Sequence, residues 1–198
     1  ADPRVYLSLL YMLLALVTGT AYFTFATTGL AMSLGLAILI IGVPFFLLFI
    51  GAARVVALVE GRIVETLLGT RMPRRPDYPD RETPFLRRIG AMLMDPRTWG
   101  TLLYLLLMLP LGVFYFTFVM VGLILSLATM VAPVFVLLYH FGIVQIEGTV
   151  NVEYPHPALL PLISILGVLL LTMTLHLARG IGYLHGQLAK PLLVATRA

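Results

Sequence analysis

The stretch VYLSLLYMLLALVTGTAYFTFATTGLAMSLGLAILIIGVPFFLLFIGAA runs from Val5 to Ala53 without one Asp, Glu, Lys or Arg. A helix crossing the hydrocarbon layer needs about 20 such residues. The 49 residues here are therefore enough for two crossings joined by a turn. A cleaved secretory leader has a single short apolar core, which excludes that reading. The whole chain agrees: 60% of its 198 residues are hydrophobic, 11% are charged, and the mean hydropathy is +1.01. A soluble domain carries about 25% charged residues to cover its surface. The alternating ten-residue segments of a membrane β-barrel are missing. The expected fold class is an all-α membrane protein that crosses the bilayer several times.

Two more apolar runs cover 99–146 and 157–177, separated from the first and from each other by a Pro-rich polar loop at 70–98 and a milder polar stretch at 147–156. The first run is expected to divide near Thr27–Gly29, giving spans at about 5–28 and 31–53. The third span is expected at about 99–125 and the fourth at about 158–178, with 126–139 either a half-helix or a further crossing. Charge chooses between these. Basic residues are Arg4, Arg54, Arg62, those from Arg71 to Arg97, Arg179, Lys190 and Arg197. Four crossings place all of them on the cytoplasmic side, as the positive-inside rule asks, whereas five do not. Ala132-Pro133 is expected to interrupt the doubtful segment. The expected location is a bacterial inner membrane with both termini cytoplasmic. The net charge of +4 comes from these flanking residues and is no nucleic-acid signature.

The chain repeats itself. GTAYFTFATTGLAMSLG (Gly19–Gly35) and GVFYFTFVMVGLILSLA (Gly112–Ala128) are identical at nine of seventeen positions, 93 residues apart. Asp2-Pro3-Arg4 recurs at the same offset as Asp95-Pro96-Arg97, and Tyr11 matches Tyr104. ARVVALVEGRIVETLL (Ala53–Leu68) aligns with ARGIGYLHGQLAKPLL (Ala178–Leu193) at an offset of 125. The pattern reads as two parallel two-span repeats, 1–69 and 95–198, in one membrane domain, each closing on a cytoplasmic amphipathic helix, 54–68 and 179–193. In the first of these, Val56, Val59, Ile63 and Leu67 form the expected apolar stripe, with Glu60, Arg62 and Glu65 opposite. An interfacial helix is expected at about 84–94 in the loop between the repeats.

The repeated block carries two readings. Gly29, Ser33, Gly122 and Ser126 are small residues at i, i+4 that let helices pack closely. Alternatively, Tyr22, Phe23, Thr24, Phe25 and their counterparts Tyr115, Phe116, Thr117 and Phe118 face a lipid, a ligand or a partner helix. Arg54, Arg87, Arg88 and Arg179 are candidates for contact with anionic lipid.

Few chemical tools are present. The expected spans contain no Asp or Glu, and HExxH, Walker and GxSxG motifs are missing. With no cysteine, disulfides and thiolate metal sites are excluded. His140 and His156, with Glu153, are the candidates for an external metal site. They flank an insert whose alternation about Glu147-Gly148 predicts a short β-hairpin over 143–154. His176 and His185 lie nine apart on one chain segment and do not face each other. No cofactor and no enzymatic activity are expected.

DPRTWGTLLYLLLMLPLGVFYFTFVMVGLILSLA (Asp95–Ala128) and GVPFFLLFIGAARVVALVEGRIVETLLGTRMP (Gly42–Pro73) resemble the second-half opening and first-half ending of a bacterial sensor-domain family. That four-span membrane module often stands N-terminal to two-component histidine kinases. The resemblance covers nearly the whole chain. It implies a non-enzymatic sensor-like module that answers a bilayer-borne or lipid stimulus, and it supplies no catalytic residues and no established ligand. The chain ends at Ala198 without a kinase domain, so it is expected to stand alone with a partner or to be a fragment. The alternative is an accessory or scaffold subunit of a larger membrane complex, and a third reading is a metal- or haem-binding membrane protein. Expected partners are the bilayer, other membrane proteins or a cytoplasmic signalling protein, with homo-oligomerisation open and nucleic acid excluded.

Overall fold

A computed structural model describes residues 3–39, 41–71, 94–143 and 156–193. In chain order they form α1 (Pro3–Ala37), α2 (Gly42–Leu68), α3 (Pro96–His140), a 3-10 turn (Pro157–Leu159) and α4 (Leu160–Leu193). All four α-helices are long and apolar enough to cross a membrane, and no strand occurs among the described residues. Large apolar side chains point outward along them, Leu34 and Ile38 being 73% and 90% exposed. Such a surface suits lipid as solvent and would aggregate in water.

The helix ends follow local chemistry. Asp95 Oδ1 accepts the Arg97 N–H at 3.0 Å, and Pro96 takes the first helical position, where a missing N–H costs nothing. At the other end of α3, Gly142 adopts φ +72°, and Ile143 N–H reaches the Leu138 carbonyl at 3.0 Å. This is a Schellman closure, and its left-handed residue favours glycine.

Three expected boundaries are corrected. The first break between helices falls between Ala37 and Gly42, not near Thr27–Gly29, with Leu39 N–H bonded to Leu36 O and Gly42 N–H to Leu39 O. Thr27 and Ser33 do not break α1, because their hydroxyls bond back to Phe23 O and Gly29 O within the helix. Secondly, α3 continues through Ala132-Pro133 to His140 as one 45-residue helix. A proline removes one backbone hydrogen bond, and a membrane helix tolerates that because unwinding would strand more. Thirdly, 54–68 and 179–193 are continuations of α2 and α4, not separate helices. The buried stripe of α2 is Ala53, Ala57, Glu60 and Val64, so Glu60 is buried where a polar face was expected, while Val59 of the expected apolar stripe is 52% exposed. The hairpin over 143–154 lies outside the described residues but for Ile143, and so does the interfacial helix at 84–94 but for Met94.

The chain divides into two compact units, and the division does not follow the sequence repeats. One unit comprises Ala1–Phe116 with Arg179–Ala198. Its core includes Tyr11, Met12, Ala15, Ile50, Leu105 and Met108. There α1 and α3 cross at backbone contact: a Cβ on Gly19 would fall on the Met108 carbonyl, and one on Gly112 on the Ala15 carbonyl. Arg54 on α2 donates to Thr98 Oγ1 at 3.1 Å and pairs with Asp95 at 3.8 Å, tying α2 to the start of α3. Arg54→Ala is expected to cost about 1 kcal/mol, the scale of a hydrogen bond with a long, partly buried ionic contact, as read by thermal unfolding in detergent.

The other unit comprises Thr117–Ala178. It packs on small residues too. A Cβ on Gly122 would lie 2.6 Å from Thr174 Cγ2, and one on Gly167 2.6 Å from the Met130 nitrogen.

Candidate functional site

Residues 11 apart on an α-helix return to one face, since 11 steps of 100° make three turns and about 20°. Tyr11 and Tyr22 on α1 are so spaced, and so are Tyr104 and Tyr115 on α3. All four phenols point to one place in the first unit. There α2 supplies Glu60 and α4 supplies His185, at 0% and 1% exposure.

Glu60 Oε1 accepts from the Tyr11 hydroxyl at 2.8 Å and from the Tyr104 hydroxyl at 3.0 Å, and Oε2 accepts from Tyr22 at 3.0 Å. His185 Nε2 lies 2.6 Å from Tyr11 Oη and 3.1 Å from Tyr104 Oη, and Nδ1 lies 3.1 Å from Tyr115 Oη. With Glu60 as a carboxylate, three phenol protons point at its oxygens. Nε2 is then the ring nitrogen that carries hydrogen, and Nδ1 accepts from Tyr115; the tautomer is assigned by this elimination. The Tyr115 ring stands edge-on to the imidazole, centroids 5.4 Å apart at 89°. Met12, Leu105 and Met108, each at 0% exposure, are among the fully buried core residues of the same unit. Hydrogen bonds to an ionised group contribute about 1.5 to 3 kcal/mol each. This node joins all four helices, and its six side chains interact in a ring and two branches.

A second feature lies along α1 and α2 in the same unit. An open apolar groove of about 950 Å³ is lined by Leu16, Thr20, Thr24, Phe25, Leu48 and Phe49, among others. Thr20, Thr24 and Thr28 run along it at i, i+4, i+8, and the Thr20 hydroxyl turns back to Leu16 O at 2.7 Å. The Phe25 and Phe49 rings meet at 5.4 Å. The turn of α1 that walls the groove also carries Tyr22.

The sequence-based candidates scatter over several roles. Tyr22 and Tyr115 reach the node, while Thr24 and Phe25 line the groove. Phe23, Phe116 and Phe118 are half-buried and Thr117 is exposed. Gly29 lies under the Phe49 ring and Gly122 against Thr174, with Ser33 and Ser126 bonded to the carbonyls of those same glycines. Arg54 faces Thr98 and Asp95, and Arg179 is exposed; Arg87 and Arg88 lie outside the described residues. His140 is exposed beside Phe141, and His156 Nδ1 accepts the Ala158 N–H at 3.3 Å; Glu153 lies outside the described residues. Among the described residues, no group of three or more His, Cys, Asp or Glu is placed to hold a metal.

Sequence reasoning missed Glu60, His185, Tyr11 and Tyr104 as site residues. The signal was present. The offset of 93 pairs Tyr11 with Tyr104 and Tyr22 with Tyr115, and the offset of 125 pairs Glu60 with His185. What hid it was the assignment of Glu60 to a solvated face.

A family model described as "Putative sensor" matches residues 11–193. No curated protein and no solved structure matches.

Proposed function

The chain belongs to this sensor family, and from that premise we propose that it is a non-enzymatic membrane module that reports the occupancy of the α1–α2 groove by a lipid chain. The observation that carries this reading is Tyr22. It sits on the α1 turn that walls the groove, and its hydroxyl ends on Glu60. Glu60 in turn shares the Tyr11 and Tyr104 hydroxyls with His185 on α4. A chain entering the groove displaces α1 against α2, lengthens the Tyr22–Glu60 bond and shifts the balance at His185. The ends of α2 and α4 then move, and a cytoplasmic partner reads the movement.

The architecture is read as two parallel two-span repeats with both termini cytoplasmic. Supporting the repeats, Gly19 meets Met108 while Gly112 meets Ala15, and Gly29 meets Phe49 while Gly122 meets Thr174. Each pair maps onto the other by the offsets of 93 and 125.

The absence of cysteine makes the test direct. Spin labels on Thr66→Cys and Leu188→Cys, both exposed, measure the distance between the ends of α2 and α4. Transfer from dioleoyl- to dimyristoyl-phosphatidylglycerol vesicles is expected to shift that distance, and Tyr22→Phe to abolish the shift while leaving the fold intact. An unchanged distance in every lipid overturns the reading.

A further inference from the structure

Counting only His, Asp and Glu, the node holds two metal-binding residues. The phenols change the count. Tyr11 Oη, Glu60 Oε1, Tyr104 Oη and His185 Nε2 form a closed ring whose successive contacts are 2.8, 3.0, 3.1 and 2.6 Å. All four residues are at most 1% exposed, and each comes from a different helix.

We propose that this ring is a binding site for a hard trivalent metal ion, with Tyr11 and Tyr104 as phenolates, Glu60 as carboxylate and His185 Nε2 as the neutral ligand. Contacts of this length are also ordinary hydrogen bonds, so distance alone does not decide. Three further features do. Four contacts close the ring, but a carboxylate, two phenols and one Nε2–H supply only three hydrogens, so one edge has none of its own. Metal bonds of about 2.0 to 2.2 Å that meet near right angles set neighbouring donors about 2.8 to 3.1 Å apart, a span that the 2.8, 3.0 and 3.1 Å contacts match and the 2.6 Å contact does not. Lastly, a coordinated imidazole and a coordinated carboxylate are usually steadied by an outer hydrogen bond each. Here Tyr22 donates to Glu60 Oε2, and Tyr115 Oη stands 3.1 Å from His185 Nδ1, ready to accept its hydrogen once Nε2 turns its lone pair to the metal.

Charge selects the ion. Two phenolates and one carboxylate carry three negative charges, and a trivalent cation leaves the buried site neutral. A divalent ion would leave one uncompensated charge among apolar side chains, which is costly. Oxygen-rich donors also suit a hard cation rather than a soft one. Binding releases two protons, one from each phenol, and changes no oxidation state. The proposal shares the node with the lipid response but makes no use of the groove, and it is read by metal binding alone, so the two readings can fail separately.

The test is a titration of the detergent-purified full chain with ferric nitrilotriacetate, followed by gel filtration, metal analysis and visible spectroscopy. One iron per chain with a phenolate-to-iron charge-transfer band is expected. Tyr11→Phe and Tyr104→Phe should each weaken binding at least about 100-fold, and the double variant should lose the band. Tyr22→Phe should keep the band and weaken binding about 10-fold, as loss of an outer hydrogen bond does. Circular dichroism checks that each variant is helical. The wild-type titration decides even where a variant misfolds: no stoichiometric iron, or iron without the band, overturns the proposal. So does a band that survives in the double tyrosine variant, or tighter binding of zinc than of iron.

Discussion

Glu60→Ala is expected to destabilise the protein by about 4 kcal/mol, because removing one partner of a buried charged network strands the others. Three phenol hydroxyls lose their acceptor at once, those of Tyr11, Tyr22 and Tyr104. Two of them are on residues at most 1% exposed, so water cannot replace the carboxylate there. Unfolding by heat or by graded sodium dodecyl sulfate in a mild detergent reads the loss. Glu60→Gln keeps the shape and one acceptor oxygen, and should lose less than half as much. The most telling variant combines Glu60→Leu with Tyr→Phe at 11, 22 and 104. It removes every phenol donor that Glu60 served and leaves only the His185 Nε2–H without its acceptors, so it should recover part of the stability, since paired apolar replacement of a buried network is often neutral. If Glu60→Ala unfolds together with the wild type, the node is not formed.

The second large effect is at the crossing of α1 and α3. Gly19→Val and Gly112→Val should each cost about 3 kcal/mol, the upper range for overpacking. The reason is what the new side chain would meet. At Gly19 it meets the Met108 carbonyl and at Gly112 the Ala15 carbonyl, both backbone atoms that cannot turn aside as a side chain would. The helices must part, and with them Tyr11 on α1 and Tyr104 on α3, which share Glu60 on α2 and His185 on α4. The two variants should therefore be less than additive when combined, since the first already opens the crossing. Gly51→Ala is the control: nothing lies within 4 Å of its Cβ position, so stability should hold or rise slightly.

Much of the fold was legible from composition and spacing. The charge-free run from Val5 to Ala53 called for membrane helices, and four helices of sufficient length and apolarity are present. The turn was misplaced at Thr27–Gly29 because Thr, Gly and Ser mark breaks in water. In an apolar setting the hydroxyls of Thr27 and Ser33 satisfy themselves on the helix backbone and the helix continues. Pro133 misled for a similar reason: one lost hydrogen bond is less costly than an open turn where no water waits.

The sequence by itself determined the membrane class, the number of apolar helices and the family, because hydrophobic length and local order depend on near neighbours along the chain. It also contained the pairing of Tyr11 with Tyr104, of Tyr22 with Tyr115 and of Glu60 with His185. Only the tertiary structure decided that these six side chains meet. Glu60 reads as a solvated charge until three hydroxyls from two other helices are seen to surround it. A carboxyl is buried or exposed according to the donors that reach it, and those donors lie 38 to 49 residues away along the chain, where local pattern has no reach.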